Sequence, residues 1–377
     1  MNEISQNARN LVTTSHAMEI IRRSANALAE NPSLANVIPP IMLRGAAGIG
    51  KSSIVKDIAD SLGIGYVDVR LAQMERVDFA GLPRVSADGM TEWCVPKFWP
   101  REMNSRGIIL LDEITSAPSD VQVAAYSLVL DRKIPNTDYV LPDGWLIVAA
   151  GNRAEDRAVV KAMSSALANR FAHYEVEVNP QEWNNWAIAH DTHPSVTGFI
   201  KFRPNYLHYL EKQDLERGFP TPRSWAKVSS LIPIYGDDDD LLREAVFGCI
   251  GAKVGAEFMA FYKLNKRFDD VLEMMVNPKA KIVIPSRGDE KHAFTSAVSY
   301  LLWQGENKKD QTARINGLFR IVEALDEAYG MLLVKSAMLG NSKITPAEAA
   351  IMITENKNYA KFAAKYQAKA KAAKRSI

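Results

Sequence analysis

Gly45, Gly48 and Gly50 crowd into six residues, and Lys51, Ser52 and Ser53 follow at once. Backbone without side chains, set against a cation and two hydroxyls, suits the grip of a phosphate. Gly45-x-x-x-x-Gly50-Lys51-Ser52 is the P-loop pattern. Such a loop turns successive N–H groups inward, and a helix starting behind it adds partial positive charge. Gly45, Ala46, Ala47, Gly48, Ile49 and Gly50 would form the cradle, and Ser53 would follow it into the helix. Lys51 would reach the β- and γ-phosphates of ATP, and Ser52 would offer its hydroxyl to Mg²⁺. The plain alternative is an ordinary glycine-rich turn between a strand and a helix.

A second group closes the apolar run 107–111. Asp112 and Glu113 stand at what reads as the carboxyl end of a buried strand, where ligands of parallel sheets bind. Asp112 suits a Mg²⁺ ligand, direct or through water. Glu113 suits a base that orients water toward the γ-phosphate. A capping Asp after a strand is the alternative. A further run, 145–150, ends at Gly151-Asn152, and the Asn152 amide could bond the attacking water or the γ-phosphate. Gly-Asn is also good turn chemistry. Arg170 follows a short helical stretch; it is either a surface residue or, in an ATPase ring, a finger serving a neighbour's nucleotide. Arg223 sits at a helix start, where a cation gains nothing from the helix dipole. That favours a role outside its own helix, with a solvated Arg as the alternative.

These residues need a sheet to hold them. The runs 37–43, 64–71, 107–114, 145–152 and 172–178 read as strands, and helical patterns separate them. Alternation of this kind predicts a parallel sheet with helices on both faces. A helix is expected over 15–31, and another from Ser52 to a stop at Gly63. Near residue 179 the pattern turns helical. A Pro-initiated helix is expected near Pro222, one with acidic first-turn residues after Gly236, a looser segment over 271–290, and long helices over 291–303, 310–338 and 346–373. The expected division is 1–178 as nucleotide-binding core, 179–270 as helical lid and 271–377 as helical C-terminal region.

Composition narrows the class. The 377 residues are 47% hydrophobic and 24% charged, which is ordinary for a globular protein. A net charge of +2 argues against a general polyanion binder. Cys94 and Cys249 are distant and form no C-x-x-C, which excludes a cysteine zinc cluster and fits a reducing compartment. No apolar run reaches membrane-spanning length, and residues 1–10 are polar, so no membrane contact and a cytoplasmic location are expected.

The stretches GAAGIGKSS, IILLDE, AAGN, ALANRF and PTPRSW, in this order, resemble an AAA+ ATPase. The likeness is to the MoxR type of the dynein-related class, with the cobaltochelatase small subunit and the gas-vesicle ATPase as relatives. It covers residues 35–235. It implies an α/β P-loop NTPase core with a parallel sheet, then an α-helical lid and a helical C-terminal region. By this resemblance Glu113, Asn152, Arg170 and Arg223 are catalytic-site residues, the last three as sensor 1, arginine finger and sensor 2. Many relatives carry Asp where Asn169 stands, and Arg153, Arg157 and Lys161 are rival trans cations. The resemblance further implies ATP and Mg²⁺ as cofactors, a homo-oligomeric and usually hexameric ring, and remodelling of a protein client with a von Willebrand A-like domain as one partner type. Bacteria and phages both encode such ATPases. The competing reading is a nucleic-acid-linked ATPase, a loader or DNA-stimulated enzyme.

Other signals weigh less. His190 and His193 have a metal-pair spacing, yet no carboxylate or thiol completes a set and Pro194 interrupts the helix. Asp237–Asp240 lack alternating ligand spacing and read as a solvated helix start. Trp93, Phe98 and Trp99 read as packing aromatics rather than a nucleic-acid groove. Lys357, Lys361, Lys365 and Lys369 recur four apart in a tail that has no acidic residue after Glu355. On a helix they form a basic stripe, with Tyr359, Phe362, Ala363 and Tyr366 on another face; it is either a solvated helix end or a partner- or nucleic-acid-binding surface.

Overall fold

The computed structural model describes residues 10–153, 163–210, 217–264 and 268–373. The chain divides into two compact units, Met1–Asn179 and Pro180–Ile377.

The first unit is built on a six-stranded sheet. Its strands are β1 (Leu11–Thr13), β2 (Ile41–Arg44), β3 (Gly65–Arg70), β6 (Gly107–Asp112), β7 (Trp145–Gly151) and β8 (Ala172–Glu177). A separate hairpin pairs β4 (Leu82–Val85) with β5 (Thr91–Cys94). The sheet order is β1-β8-β2-β7-β6-β3, and every neighbouring pair is parallel. Helices α1 (Thr14–Glu30), α2 (Lys51–Leu62), α3 (Arg76–Ala80), α4 (Ser119–Asp131) and α5 (Ser165–Ala168) connect or flank the strands.

Central strands of a parallel sheet are covered on both faces, so they read as continuous apolar runs. Ile108–Leu111 shows how one run serves two cores. Ile109 and Leu111 join a cluster with Phe79, Trp99, Val121 and Leu128. Ile108 and Leu110 join the opposite cluster with Ile21, Leu28, Ile54 and Ile58. Side chains alternate along a strand, so each face receives every second residue. All four are fully buried, and truncating one to Ala would cost about 2–5 kcal/mol. The helix expected after the P-loop starts at Lys51 and stops at Gly63, whose φ of 60° is left-handed. Strands β1, β4 and β5 are additions to the expected set. They are short, and only β1 joins the main sheet.

The second unit is mainly helical among its described residues. It runs α6 (Pro180–Ala189), α7 (Pro194–Phe202), α8 (Pro222–Tyr235), α9 (Asp239–Ile250), α10 (Ala252–Leu264), α11 (Phe268–Val276), α12 (Gly288–Leu302), α13 (Lys308–Ala324), α14 (Glu327–Ala337), α15 (Pro346–Thr354) and α16 (Lys357–Ala373). Two expected helices are each divided. The 310–338 pattern breaks at Asp326, whose side chain accepts from Tyr329 N and caps a new helix. The 346–373 pattern breaks at Asn356, whose Oδ1 accepts from Asn358 N. The apolar period carries across both breaks because α13, α14 and α15 line the same core, with Tyr359 and Phe362 of α16 packed against it. The segment 271–290 is helical to Val276 and irregular up to Gly288.

Candidate active site

The carboxyl ends of β2, β7 and β6 lie side by side, and each carries one of the motifs. Arg44 of β2 is in register with Gly151 of β7, and Leu111 of β6 with Ala149. Gly45 N donates to Gly151 O at 3.3 Å, which ties the first P-loop residue to the end of β7. Glycine is required at Gly45 because a Cβ would lie 2.8 Å from Val176 O and 2.6 Å from the Ile49 side chain. Gly48 and Gly50 have φ of 76° and 93°, a region that side chains resist. Of the remaining cradle residues, Ala46 and Ile49 are buried in the core beside α2 while Ala47 is exposed. Ser53 is exposed on the first turn of α2.

Lys51 is 8% exposed, so its charge is held by the protein. Its ammonium donates to Gly45 O at 2.7 Å, Ala46 O at 2.9 Å and Asn152 Oδ1 at 3.1 Å. P-loop cation and strand-end amide, 101 residues apart, therefore meet directly. Ser52 Oγ donates to Asp112 Oδ2 at 2.6 Å. Asp112 Oδ1 accepts from Glu113 N at 2.9 Å. Ser52 and Asp112 thus present hard oxygen donors at one point. That donor set fits Mg²⁺, which takes one or two protein oxygens and completes its shell with water and phosphate.

Glu113 leaves the strand in a left-handed conformation, φ 56°, with its side chain exposed. Its neighbours are anchored on both sides. Ile114 N donates to Ala150 O at 3.0 Å, and Ser116 N donates to Glu113 O at 2.9 Å. Thr115, 3% exposed, accepts from Asn152 N through Oγ1 at 3.2 Å. Thr115 escaped the motif reading; its place two residues after Glu113 is a turn position that only the fold connects to Asn152. Tyr66 on β3 has its phenol pKa raised, first by burial and then by the Asp68 and Asp112 charges, so it stays protonated. At the end of the same strand, Arg70 is in register with Asp112.

The remaining expected residues fall elsewhere. Arg170 follows α5 and is exposed, and its guanidinium has no partner among the described residues. Arg223 belongs to the second unit. It is exposed on the first turn of α8, which Thr221 and Ser224 cap reciprocally. Arg153, a rival trans cation, instead reaches β8: Nη2 donates to Val176 O at 3.1 Å, and Nε lies 3.9 Å from Glu175 Oε2. Arg157 and Lys161 lie outside the described residues. His193 caps α7, its ring accepting from Ser195 N, while the His190 ring stacks on Trp186, so the two act in local structure. Asp238 caps α9. Trp99 is buried against Phe79, to whose carbonyl its Nε1 donates at 3.1 Å. Among the described residues no cluster of three or more His, Cys, Asp or Glu could hold a metal. No described helix is long and apolar enough to cross a membrane.

A parallel sheet whose strand ends bring a P-loop Lys, an Asp-Glu pair and an Asn together defines a P-loop nucleotide-binding core. Residues 40–171 match the family described as the AAA domain of the dynein-related subfamily, the class that the motifs resemble. A 162-residue stretch is 28% identical to Midasin of Giardia intestinalis and covers 41% of this chain but only 3% of that protein's length. Among solved structures, the chain is similar to a Thermotoga maritima RuvB mutant, with 17% identity and a TM-score of 0.34, over 69% of this chain and 76% of that one. It is also similar to NtrX from Brucella abortus in complex with ADP, with 15% identity and a TM-score of 0.38, over 87% and 69% of the two chains.

Proposed function

We propose that this chain binds ATP with Mg²⁺ at the edge of β2, β7 and β6, hydrolyses it, and uses the cycle to remodel a protein complex. The observation that carries the reading is the convergence of Lys51 on Asn152 and of Ser52 on Asp112, four motif residues from three separate parts of the chain. The P-loop amides and Lys51 bind the phosphates. Ser52 and Asp112 hold Mg²⁺, which offsets phosphate charge when bound. Glu113 faces solvent beside that pair and takes the proton of the attacking water. Asn152, fixed by Thr115 and Lys51, orients that water.

Arg170 supports the assembly half of the proposal. An exposed guanidinium with no partner among the described residues is available to a neighbouring copy, and a head-to-tail contact that closes gives a ring, here a hexamer. In this scheme residues 179–270 act as the lid that presents Arg223, and 271–377 as a C-terminal region that meets the client. A partner with a von Willebrand A-like domain is the proposed client type, and the bacterial or phage-infected cytoplasm the proposed place. A nucleic-acid-linked ATPase is the second reading. It draws on α16, where Tyr359 and Phe362 pack on Phe319 while Lys357, Lys361 and Lys365 are exposed.

The test is ATP turnover by the intact chain and by Glu113→Gln. The variant keeps shape and phosphate contacts but removes the base, so it should bind ATP and retain it unhydrolysed. Hydrolysis at the parental rate would remove Glu113 from its role. Turnover with and without DNA across a salt series separates the two readings, because phosphate contacts weaken steeply with salt.

A further inference from the structure

We infer that Arg153 is a positioning residue of its own subunit, a strap that ties the end of β7 across β2 to β8 and so fixes Asn152 against Lys51. The inference rests on the hydrolytic reading of the site given above. Arg153 directly follows Asn152, and β2 lies between β7 and β8 in the sheet. To bond β8, the side chain must cross the mouth of β2, about two strand spacings or roughly 10 Å from backbone to backbone. A long, extended cationic side chain spans this distance, and Arg153 does so with a planar donor group at its tip.

Its landing point is informative. Arg153 Nη2 donates to Val176 O, and that same carbonyl lies 2.8 Å from where a Cβ on Gly45 would stand. One carbonyl thus touches the first residue of the P-loop and accepts from the residue after Asn152. Glu175, one residue earlier on β8, lies 3.9 Å from Arg153 Nε. It is also in register with Arg44, the residue before Gly45. The Glu175 carboxylate therefore lies beside the Arg153 charge on β8. The Arg153 and Glu175 side chains are only 21% and 14% exposed, so water and salt screen their attraction little.

Asn152 is therefore held on every side. Gly151 O accepts from Gly45 N before it, Thr115 accepts from its own N–H, its Oδ1 accepts from Lys51, and Arg153 fixes the chain after it. A guanidinium committed in this way to its own β8 differs from that of Arg170, which has no partner among the described residues. The geometry assigns Arg153 to the subunit that holds it.

The experiment compares Arg153→Ala, Arg153→Lys and Glu175→Gln in the full chain. Steady-state turnover is measured beside the stoichiometry of a fluorescent ATP analogue. Loosening Asn152 should lower kcat of Arg153→Ala about 10- to 100-fold, the usual effect of a small misplacement of a positioned group. The bound analogue should stay at the parental stoichiometry, whereas a variant that merely unfolds would lose binding sites in step with rate. Arg153→Lys keeps a donor for Val176 O and should recover most of the loss, and Glu175→Gln should fall between. Arg153→Ala mixed with Glu113→Gln subunits should turn over no faster than its Arg153→Ala share alone, since no subunit then holds both groups. Activity above that share in the mixture, or an Arg153→Ala kcat within about twofold of the parent, overturns the assignment. A parental chain that binds the analogue but never turns ATP over instead overturns the hydrolytic reading, and this role with it.

Discussion

Replacing Lys51 by Met keeps the apolar stem and removes the ammonium alone. In the structure the acceptors of that ammonium include the carbonyls of Gly45 and Ala46 and the Asn152 amide oxygen. Two orphaned buried carbonyls would cost about 2–6 kcal/mol at 1–3 kcal/mol each. Relief of the desolvation penalty for a buried cation offsets part of this, leaving a net loss of about 1–3 kcal/mol. For a unit of this size that lowers Tm by roughly 3–10 °C. The second effect is larger and more specific. ATP at a hundredfold excess over its Kd should stabilise the parent by about 2.7 kcal/mol, a shift of roughly 5–10 °C. Lys51→Met should show none of that shift. Thermal melting followed by near-UV circular dichroism, with and without MgATP, measures both. An equal ATP-induced shift in parent and variant would refute the placement of the phosphates against Lys51, whatever happened to the ligand-free Tm.

Two other outcomes follow from the same description. Arg170→Ala and Glu113→Gln should each be nearly inactive, with the finger contributing about 10³–10⁵ in rate; mixed in equal amounts with subunit exchange they should regain turnover at about a quarter of the interfaces, and a dead mixture would place Arg170 in cis. His193 and His292 both have pKa values lowered to about 4 by burial, the latter also by the Lys201 charge. Their unfolded forms take up protons near pH 6.5, so their contribution is lost as pH falls from about 6.5 toward 4, at up to about 1.4 kcal/mol per pH unit for each. Urea titrations at pH 7 and 5 should therefore show a smaller loss for His292→Asn than for the parent; equal losses would refute the assignment.

The nucleotide core was readable from sequence because its signals are local. Gly45 to Ser53 and Ile108 to Glu113 each name a strand end, a turn and its chemistry within a dozen residues. What stayed hidden depends on which strand neighbours which. The Lys51–Asn152 bond, the Thr115 support and the Arg153–Glu175 pair join residues 101, 37 and 22 positions apart, and only the β8-β2-β7-β6 order brings them together. The helix breaks at Asp326 and Asn356 were missed for another reason. The apolar period persists through both, because the helices on either side serve one core. Capping chemistry at Asp326 and Asn356 was the available signal, and periodicity masked it.

The φ of 56° at Glu113 has a meaning beyond geometry. An L-residue in that conformation costs about 1–2 kcal/mol, while glycine adopts it freely. Stability alone would favour glycine at the end of β6, and so would ease of folding. The chain keeps a charged, exposed side chain in the position instead, and the anchors at Ile114, Thr115 and Ser116 hold the turn against relaxing. Strain of this kind marks residues retained for what they do rather than for what they stabilise. A single backbone angle thus sets Glu113 apart as a side chain held against its own conformational preference at the mouth of the site.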